Sequence, residues 1–142
     1  MLVFINIGSN LGDRRMNLSK AMRAVAAVYG DFEISHVMES EPWGFESQNK
    51  FLNLAMVFKS DDAPLDILHT LQRIEKEISP ESHRNPDGSY ADRLVDIDIM
   101  TIEGVRMETE ELTLPHPHLK ERPFFMEPLQ ELLDNIPNSE SI

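Results

Sequence analysis

The sequence predicts one domain in which β-strands and amphipathic helices are mixed. Three observations lead there. Apolar residues alternate with period two in some segments and recur at helical spacing in others. The chain has 142 residues, enough for one modest core. No composition shift, internal repeat or low-complexity stretch divides it, so a single domain over 1–142 is expected, with a polar tail from about residue 135.

The elements follow in order. Leu2–Ile7 reads as a buried strand, and Gly8-Ser9-Asn10-Leu11-Gly12-Asp13 as a turn with helix-capping residues. The spacing of Leu18, Ala21, Met22, Val25, Val28 and Tyr29 predicts one face of a helix that stops at Gly30. Phe32–Met38 alternates as a strand, with Phe32, Ile34, His36 and Met38 on one side. Glu39–Lys50, with Pro42, Trp43 and Gly44, is a loop. Trp43 there is either a packing anchor or part of a lid over a ligand. Phe51–Lys59 is a strand whose even and odd residues are both largely apolar. Asn53 stands out on it, as an amide bonded to backbone or as a reader of a heterocycle edge. Asp62-Ala63-Pro64 opens a second helix with Asp62 as its cap, and Leu65, Leu68, Leu71, Ile74 and Ile78 form its stripe. Gln72 and Glu75 are neighbours beside that stripe. Ser79–Asp92 is irregular and long for a link. Glu103-Gly104 predicts a hairpin turn into Val105–Met107. Leu112–His118 is extended by its prolines, and Phe124-Phe125-Met126 and Leu129–Leu133 look like core-seeking helical turns.

Composition narrows the function. The formal net charge is −12, which disfavours non-specific nucleic-acid binding and anionic membrane surfaces. There is no cysteine, so disulfides and cysteine-ligated zinc are excluded and a cytoplasmic location is expected. No apolar run nears the roughly 20 residues of a membrane helix, and Leu2 already enters a strand, so no signal peptide is expected. The Gly8–Gly12 turn lacks the lysine of a nucleotide-binding P-loop. His116-x-His118 alone is weak grounds for zinc.

The chemically richest stretch is Arg93-Leu94-Val95-Asp96-Ile97-Asp98-Ile99-Met100. In a strand Asp96 and Asp98 point the same way, with Cα atoms roughly 7 Å apart, while Val95, Ile97 and Ile99 enter the core. Two carboxylates on one half-buried face need compensating charge. Divalent cations bound to phosphate would supply it; a solvated edge strand is the other reading.

Gly8-Ser9-Asn10-Leu11-Gly12, Glu41-Pro42-Trp43-Gly44, Phe51-Leu52-Asn53, Gln72-Arg73-Ile74-Glu75, the Asp92–Ile99 run, Leu114-Pro115-His116-Pro117 and Glu121-Arg122-Pro123-Phe124 occur in this order. Together they resemble the 6-hydroxymethyl-7,8-dihydropterin pyrophosphokinases of folate biosynthesis, over residues 3 to about 133. The resemblance implies a ferredoxin-like α+β fold: an antiparallel sheet with helices packed on it in one compact domain. It implies transfer of pyrophosphate from ATP to the pterin's primary alcohol, releasing AMP. Asp96 and Asp98 would hold two Mg²⁺ ions. Asn53 would read the pterin edge with backbone from Ser40, Pro42 and Trp43, while Phe51 and Phe124 sandwich the ring and Tyr90 covers it. Gln72, Glu75, Arg84, Ile99, Thr113 and His116 would line the ATP site. Arg93 and Arg122 would meet phosphates. The expected partners are these small molecules alone, on a monomer.

The chain departs from the family pattern in places. Ser79-Pro80 stand where Gly-Arg is common, leaving Arg84 as the one arginine of that loop, and Glu111 stands where an arginine is frequent. These departures motivate a second reading, a non-catalytic pterin- or nucleotide-binding module. A third is a metal-dependent phosphohydrolase.

Overall fold

The computed structural model describes residues 1–41, 49–80 and 94–136. Strand β1 (Leu2–Ser9) lies in the middle of the main sheet because almost every residue on it is apolar or small and buried. It pairs antiparallel with β4 (Phe51–Lys59) on one side and β5 (Asp96–Ile102) on the other. Beyond β4 lie β2 (Phe32–Ile34) and β3 (Met38–Ser40), both antiparallel to it. Helix α1 (Arg14–Tyr29) connects β1 to β2, and α2 (Pro64–Ile78) precedes β5. The order β2-β4-β1-β5 with these helices is the ferredoxin-like α+β arrangement. A small ribbon of β6 (Met107–Glu108) and β7 (Thr113–Leu114), then helix α3 (Pro123–Asn135), complete it.

Alternation along the strands sorts residues into two cores. Val3, Ile5 and Ile7 of β1, Leu52, Leu54, Met56 and Phe58 of β4, and Val95, Ile97 and Ile99 pack under α1 and α2. Tyr29 stacks on Phe58 there, ring centroids 4.3 Å apart. Phe4, Ala55, Val57 and Met100 turn to the other face, where Phe125, Leu129 and Leu132 of α3 cover them. Both faces of β4 are therefore buried, as its two apolar faces predict. A bulge in β5 gives Ile99 and Thr101 consecutive partners on β1, leaving Met100 as the extra residue. The shift lets Met100 join the α3 side while Ile102 returns to the core under α1 and α2.

The local chemistry explains most ends. Asp13 caps α1, its carboxylate accepting from Met16 N at 3.1 Å, and Gly30 ends the helix with φ of 84°. Five readings need correction. Val28 is exposed, because the buried stripe of α1 is Asn17, Leu18, Ala21 and Val25. Asp62 does not cap α2; Ala63 does, with no side-chain bond, and Pro64 fills the first turn. Ile67 is a core residue of α2 that the stripe omitted. The hairpin after Gly104 does not form with β5: Val105 N closes the turn on Ile102 O at 3.0 Å, and the next strand pairs with β7.

The fifth correction concerns Phe32–Met38, which is two short strands. Ser35 divides them. Its Oγ accepts from Ala55 N at 2.9 Å and donates to the His36 carbonyl at 2.9 Å. A side-chain oxygen thus takes the place of a ladder carbonyl, so the chain turns away between β2 and β3. Ser35→Ala leaves the Ala55 N–H buried without this acceptor. Urea unfolding should read a loss of about 1–3 kcal/mol; a change below ~0.5 kcal/mol would mean the main chain re-forms the ladder.

Candidate active site

The face of the sheet on the α3 side is not apolar throughout. Toward one end of the sheet, residues in register across three strands form two rows: Asn53–Gly8–Asp96 and Ala55–Asn6–Asp98. Neighbouring strands are about 4.8 Å apart, which sets Asn53 and Asp96 roughly 10 Å from each other across Gly8. Glycine is required there by space. A Cβ on Gly8 would lie 2.9 Å from Asn53 Oδ1 and 3.4 Å from Phe51 Cδ1. Asn53 is 3% exposed and donates from Nδ2 to Ser40 Oγ at 2.7 Å, so its amide cannot simply swing aside. Phe51 is buried on the same face.

Asp96 and Asp98 lie on β5 as the alternation predicts, both half-buried. The Asp98 carboxyl is pushed well above the ordinary carboxylate value by burial first, then by the Asp96 charge and by the hydrogen bond its protonated form donates to Asp96. Glu75 adds to the effect and the Arg122 guanidinium opposes it. The site thus carries more negative charge than its surroundings solvate.

Past the edge of β5 is a cavity of about 380 Å³. Gln72 and Glu75 of α2 form one wall, and Asp96, Asp98 and Ile99 the floor. Thr113 of β7 and His116 face them. Side-chain and loop groups satisfy the strand edge beside this cavity: Glu75 Oε2 accepts from Ile97 N at 2.7 Å, and His116 N donates to Met100 O at 2.8 Å. The His116 ring is held neutral, its pKa lowered to about 4 by burial, then by Arg122 and His118. Nδ1 accepts from His118 N at 3.1 Å, so the neutral ring carries its proton on Nε2 as a donor. His118 Nδ1 is itself engaged with Glu121 at 2.9 Å.

Arg122 is the residue before α3, and its carbonyl accepts from Phe125 N and Met126 N. Its guanidinium carbon is 5.6 Å from the Phe124 ring centroid and 4.9 Å from that of Phe125. Phe125 in turn meets His116 edge to face at 5.0 Å. Aromatic contacts so hold the cation between the α3 turn and the carboxylate face.

A model of the 7,8-dihydro-6-hydroxymethylpterin-pyrophosphokinase (HPPK) family matches residues 4–134. The chain belongs to this family. It is 40% identical over 134 residues to the 2-amino-4-hydroxy-6-hydroxymethyldihydropteridine pyrophosphokinase of Porphyromonas gingivalis, covering 92% of this chain and 90% of that one. The enzymes of the same name from Aquifex aeolicus and Bacillus subtilis are 35% and 33% identical. Those matches cover 94% and 95% of this chain, and 81% and 80% of the relatives. Among solved structures, the Plasmodium falciparum HPPK-DHPS protein aligns with a TM-score of 0.65 at 13% identity, over 92% of this chain and 40% of that longer one. At that identity the likeness speaks for the fold.

Of the residues singled out from the sequence, this HPPK chain brings Gln72, Glu75, Asp96, Asp98, Ile99, Thr113 and His116 to one cavity. Ser40, Phe51 and Asn53 sit together on β3 and β4, with Arg122 just before α3 and Phe124 on its first turn. Pro42, Trp43, Arg84, Tyr90 and Arg93 lie outside the described residues. Sequence reasoning missed Gly8 and Asn6 as site neighbours. It treated the glycine as turn chemistry, and nothing local marks a residue whose importance is its cross-strand partner. It also missed that Glu111 is engaged with His69 Nε2 at 2.7 Å, tying the β6–β7 turn to α2.

Asp98→Asn tests the electrostatics. A carboxyl with a raised folded pKa binds its proton more readily folded than unfolded, so its charge costs stability once pH exceeds the ordinary value of 3.8. In chelator at pH 8 the variant should melt about 3 °C higher, as roughly 1 kcal/mol gives for a domain of this size. The gain should vanish near pH ~3, where both states are protonated. A variant that melts lower than wild type at pH 8 would show that Asp98 is a net stabiliser.

Proposed function

We propose that this pyrophosphokinase transfers the β,γ-pyrophosphoryl group of ATP to the primary alcohol of 6-hydroxymethyl-7,8-dihydropterin, a step of folate biosynthesis. The alcohol oxygen attacks the β-phosphorus, the bond from that phosphorus to the α,β-bridging oxygen breaks, AMP leaves, and the hydroxyl proton passes to solvent. The observation that carries the reading is the arrangement across β4, β1 and β5. A fixed amide at Asn53 and an acidic pair at Asp96 and Asp98 flank a gap that only glycine leaves open. A flat heterocycle on Asn53 could reach across Gly8 to the acids with its side-chain alcohol.

The residues divide the work. Asn53, oriented by Ser40, offers a donor and an acceptor to the pterin edge. Phe51 and Phe124 stack on its faces, with Pro42, Trp43 and Tyr90 completing the enclosure. Gln72, Glu75, Ile99, Thr113 and His116 line the nucleotide cavity, and the His116 Nε2–H gives phosphate a neutral donor that stays in place near pH 7. Arg122 faces the carboxylates and would neutralise phosphate charge, joined by Arg84 and Arg93. The excess charge on Asp96 and Asp98 fits divalent cations, and two Mg²⁺ ions would be held there. When bound, they withdraw charge from the transferring group and acidify the attacking alcohol. The chain is proposed to act as a single-domain monomer in the cytoplasm.

Incubation with ATP, Mg²⁺ and the hydroxymethyldihydropterin should release AMP, and omission of the pterin should abolish it. Asp96→Ala and Asp98→Ala should each lower turnover on the order of 10³-fold while melting stays cooperative. ATP breakdown without the pterin would favour the phosphohydrolase reading, and tight binding of both substrates without AMP the binding module.

A further inference from the structure

Helix α3 carries a proline in its interior, Pro128. Proline has no N–H for the carbonyl four residues before it, and its ring crowds that carbonyl. The carbonyl concerned belongs to Phe124. A donor reaches it from far along the chain: Asn6 Nδ2 bonds Phe124 O at 2.8 Å, across 118 residues of sequence. Asn6 is 3% exposed in the middle of β1, flanked by Ala55 on one strand and Asp98 on the other. A buried amide in the central strand is costly unless its bond is made. The bond it makes goes to the one carbonyl that Pro128 deprives of its helical donor.

We propose that Asn6 is a positioning residue that stands in for the missing N–H of Pro128 and thereby sets the first turn of α3 against the sheet. That turn carries Phe124, and Arg122 precedes it by two residues. The Arg122 carbonyl accepts from Phe125 N and Met126 N at 2.9 and 3.0 Å, and its guanidinium packs on both phenylalanine rings. The turn therefore moves as one body, and its anchor on the sheet is the residue paired with Asp98. Asn6 fixes the distance between the aromatic and cationic groups of α3 and the carboxylates of β5. The inference rests on the reaction proposed above, in which Phe124 meets the pterin and Arg122 the phosphates.

The test is a rescue. In Asn6→Ala the Phe124 carbonyl loses its donor. Pro128→Ala gives residue 128 an N–H that reaches the same carbonyl within the helix. AMP release and equilibrium pterin binding are measured for wild type, both single variants and the double variant. Asn6→Ala should raise the pterin KM and Kd on the order of tenfold, as displacement of a stacking group by a fraction of an ångström does, with the ATP KM moving less. In Asn6→Ala/Pro128→Ala both constants should return to within about threefold of Pro128→Ala alone. A pterin KM for Asn6→Ala within about threefold of wild type overturns the proposal. So does a double variant that keeps the full loss, which would mean that Asn6 acts on Asp98 directly. If Asn6→Ala alone does not fold, the double variant against Pro128→Ala still reads the result. A wild-type chain that neither releases AMP nor binds the pterin overturns the assigned reaction instead, and this inference with it.

Discussion

Strand β1 is the constraint on which the rest depends. It is paired on both sides, and its residues alternate between two environments of opposite character. Val3, Ile5 and Ile7 enter the larger core under α1 and α2. Phe4, Asn6 and Gly8 face the α3 side, where apolar packing gives way within two residue pairs to a polar surface. Period two makes this unavoidable: a one-residue slip would send Asn6 and Gly8 into the apolar core and three aliphatic side chains onto the carboxylate face. Register and site geometry are thus the same fact. The hydrophobic pattern that lowers the energy of the sheet also decides that Asp96 is opposite Gly8 and Asp98 opposite Asn6.

The acidity of the chain and the chemistry proposed for it are compatible because charge is managed locally. Asp98 is destabilised by burial and by Asp96, and one guanidinium, Arg122, opposes both. The same guanidinium helps keep His116 neutral. A protonated His116 would neutralise acids that the proposed cations are meant to meet, and it would lose the fixed tautomer that its bond from His118 N defines. Arg122 therefore acts twice, lowering one carboxyl and suppressing one imidazolium, from a position held by two aromatic rings. Glu75 is taken up by the Ile97 N–H on the strand edge, which orders α2 against the cavity floor.

Much of this was legible in the sequence. The face assignment of β4 and the common direction of Asp96 and Asp98 follow from period two alone. The α1 cap at Asp13 and the stop at Gly30 follow from local backbone chemistry. The failures share a cause. Ser35 splits a strand because its hydroxyl meets Ala55, a residue twenty positions away. The strand after the Gly104 turn, β6, pairs with β7 rather than β5, a choice between two partners that turn residues do not encode. The bulge at Met100 reverses the facing of Ile102, and no local breaker marks it. The helical turns of α3 read as two pieces because Pro128 interrupts the pattern, yet α3 is continuous. In each case the deciding bond or contact is non-local, while the readable signals act within a turn or a strand.

The division into two cores has a consequence for how stability and activity separate. The cluster under α1 and α2 holds most of the buried aliphatic residues, and both helices and four strands contribute to it. The cluster under α3 is smaller, built from Phe4, Ala55, Val57, Met100, Phe125, Leu129 and Leu132. Buried apolar area scales with stabilisation, so α3 is held less strongly than the rest, and local opening is drawn from such weakly held elements. Phe124 and Arg122 ride on α3, whereas Asn53, Asp96 and Asp98 are fixed in the sheet. The two halves of the site therefore belong to units of different stability. Substrates bound as proposed would bridge them and add contacts across the weaker interface, so occupancy itself should tighten α3 onto the sheet. Polar anchors such as the Asn6–Phe124 bond matter most in that setting, because a small apolar interface resists separation without fixing the rotation of the helix.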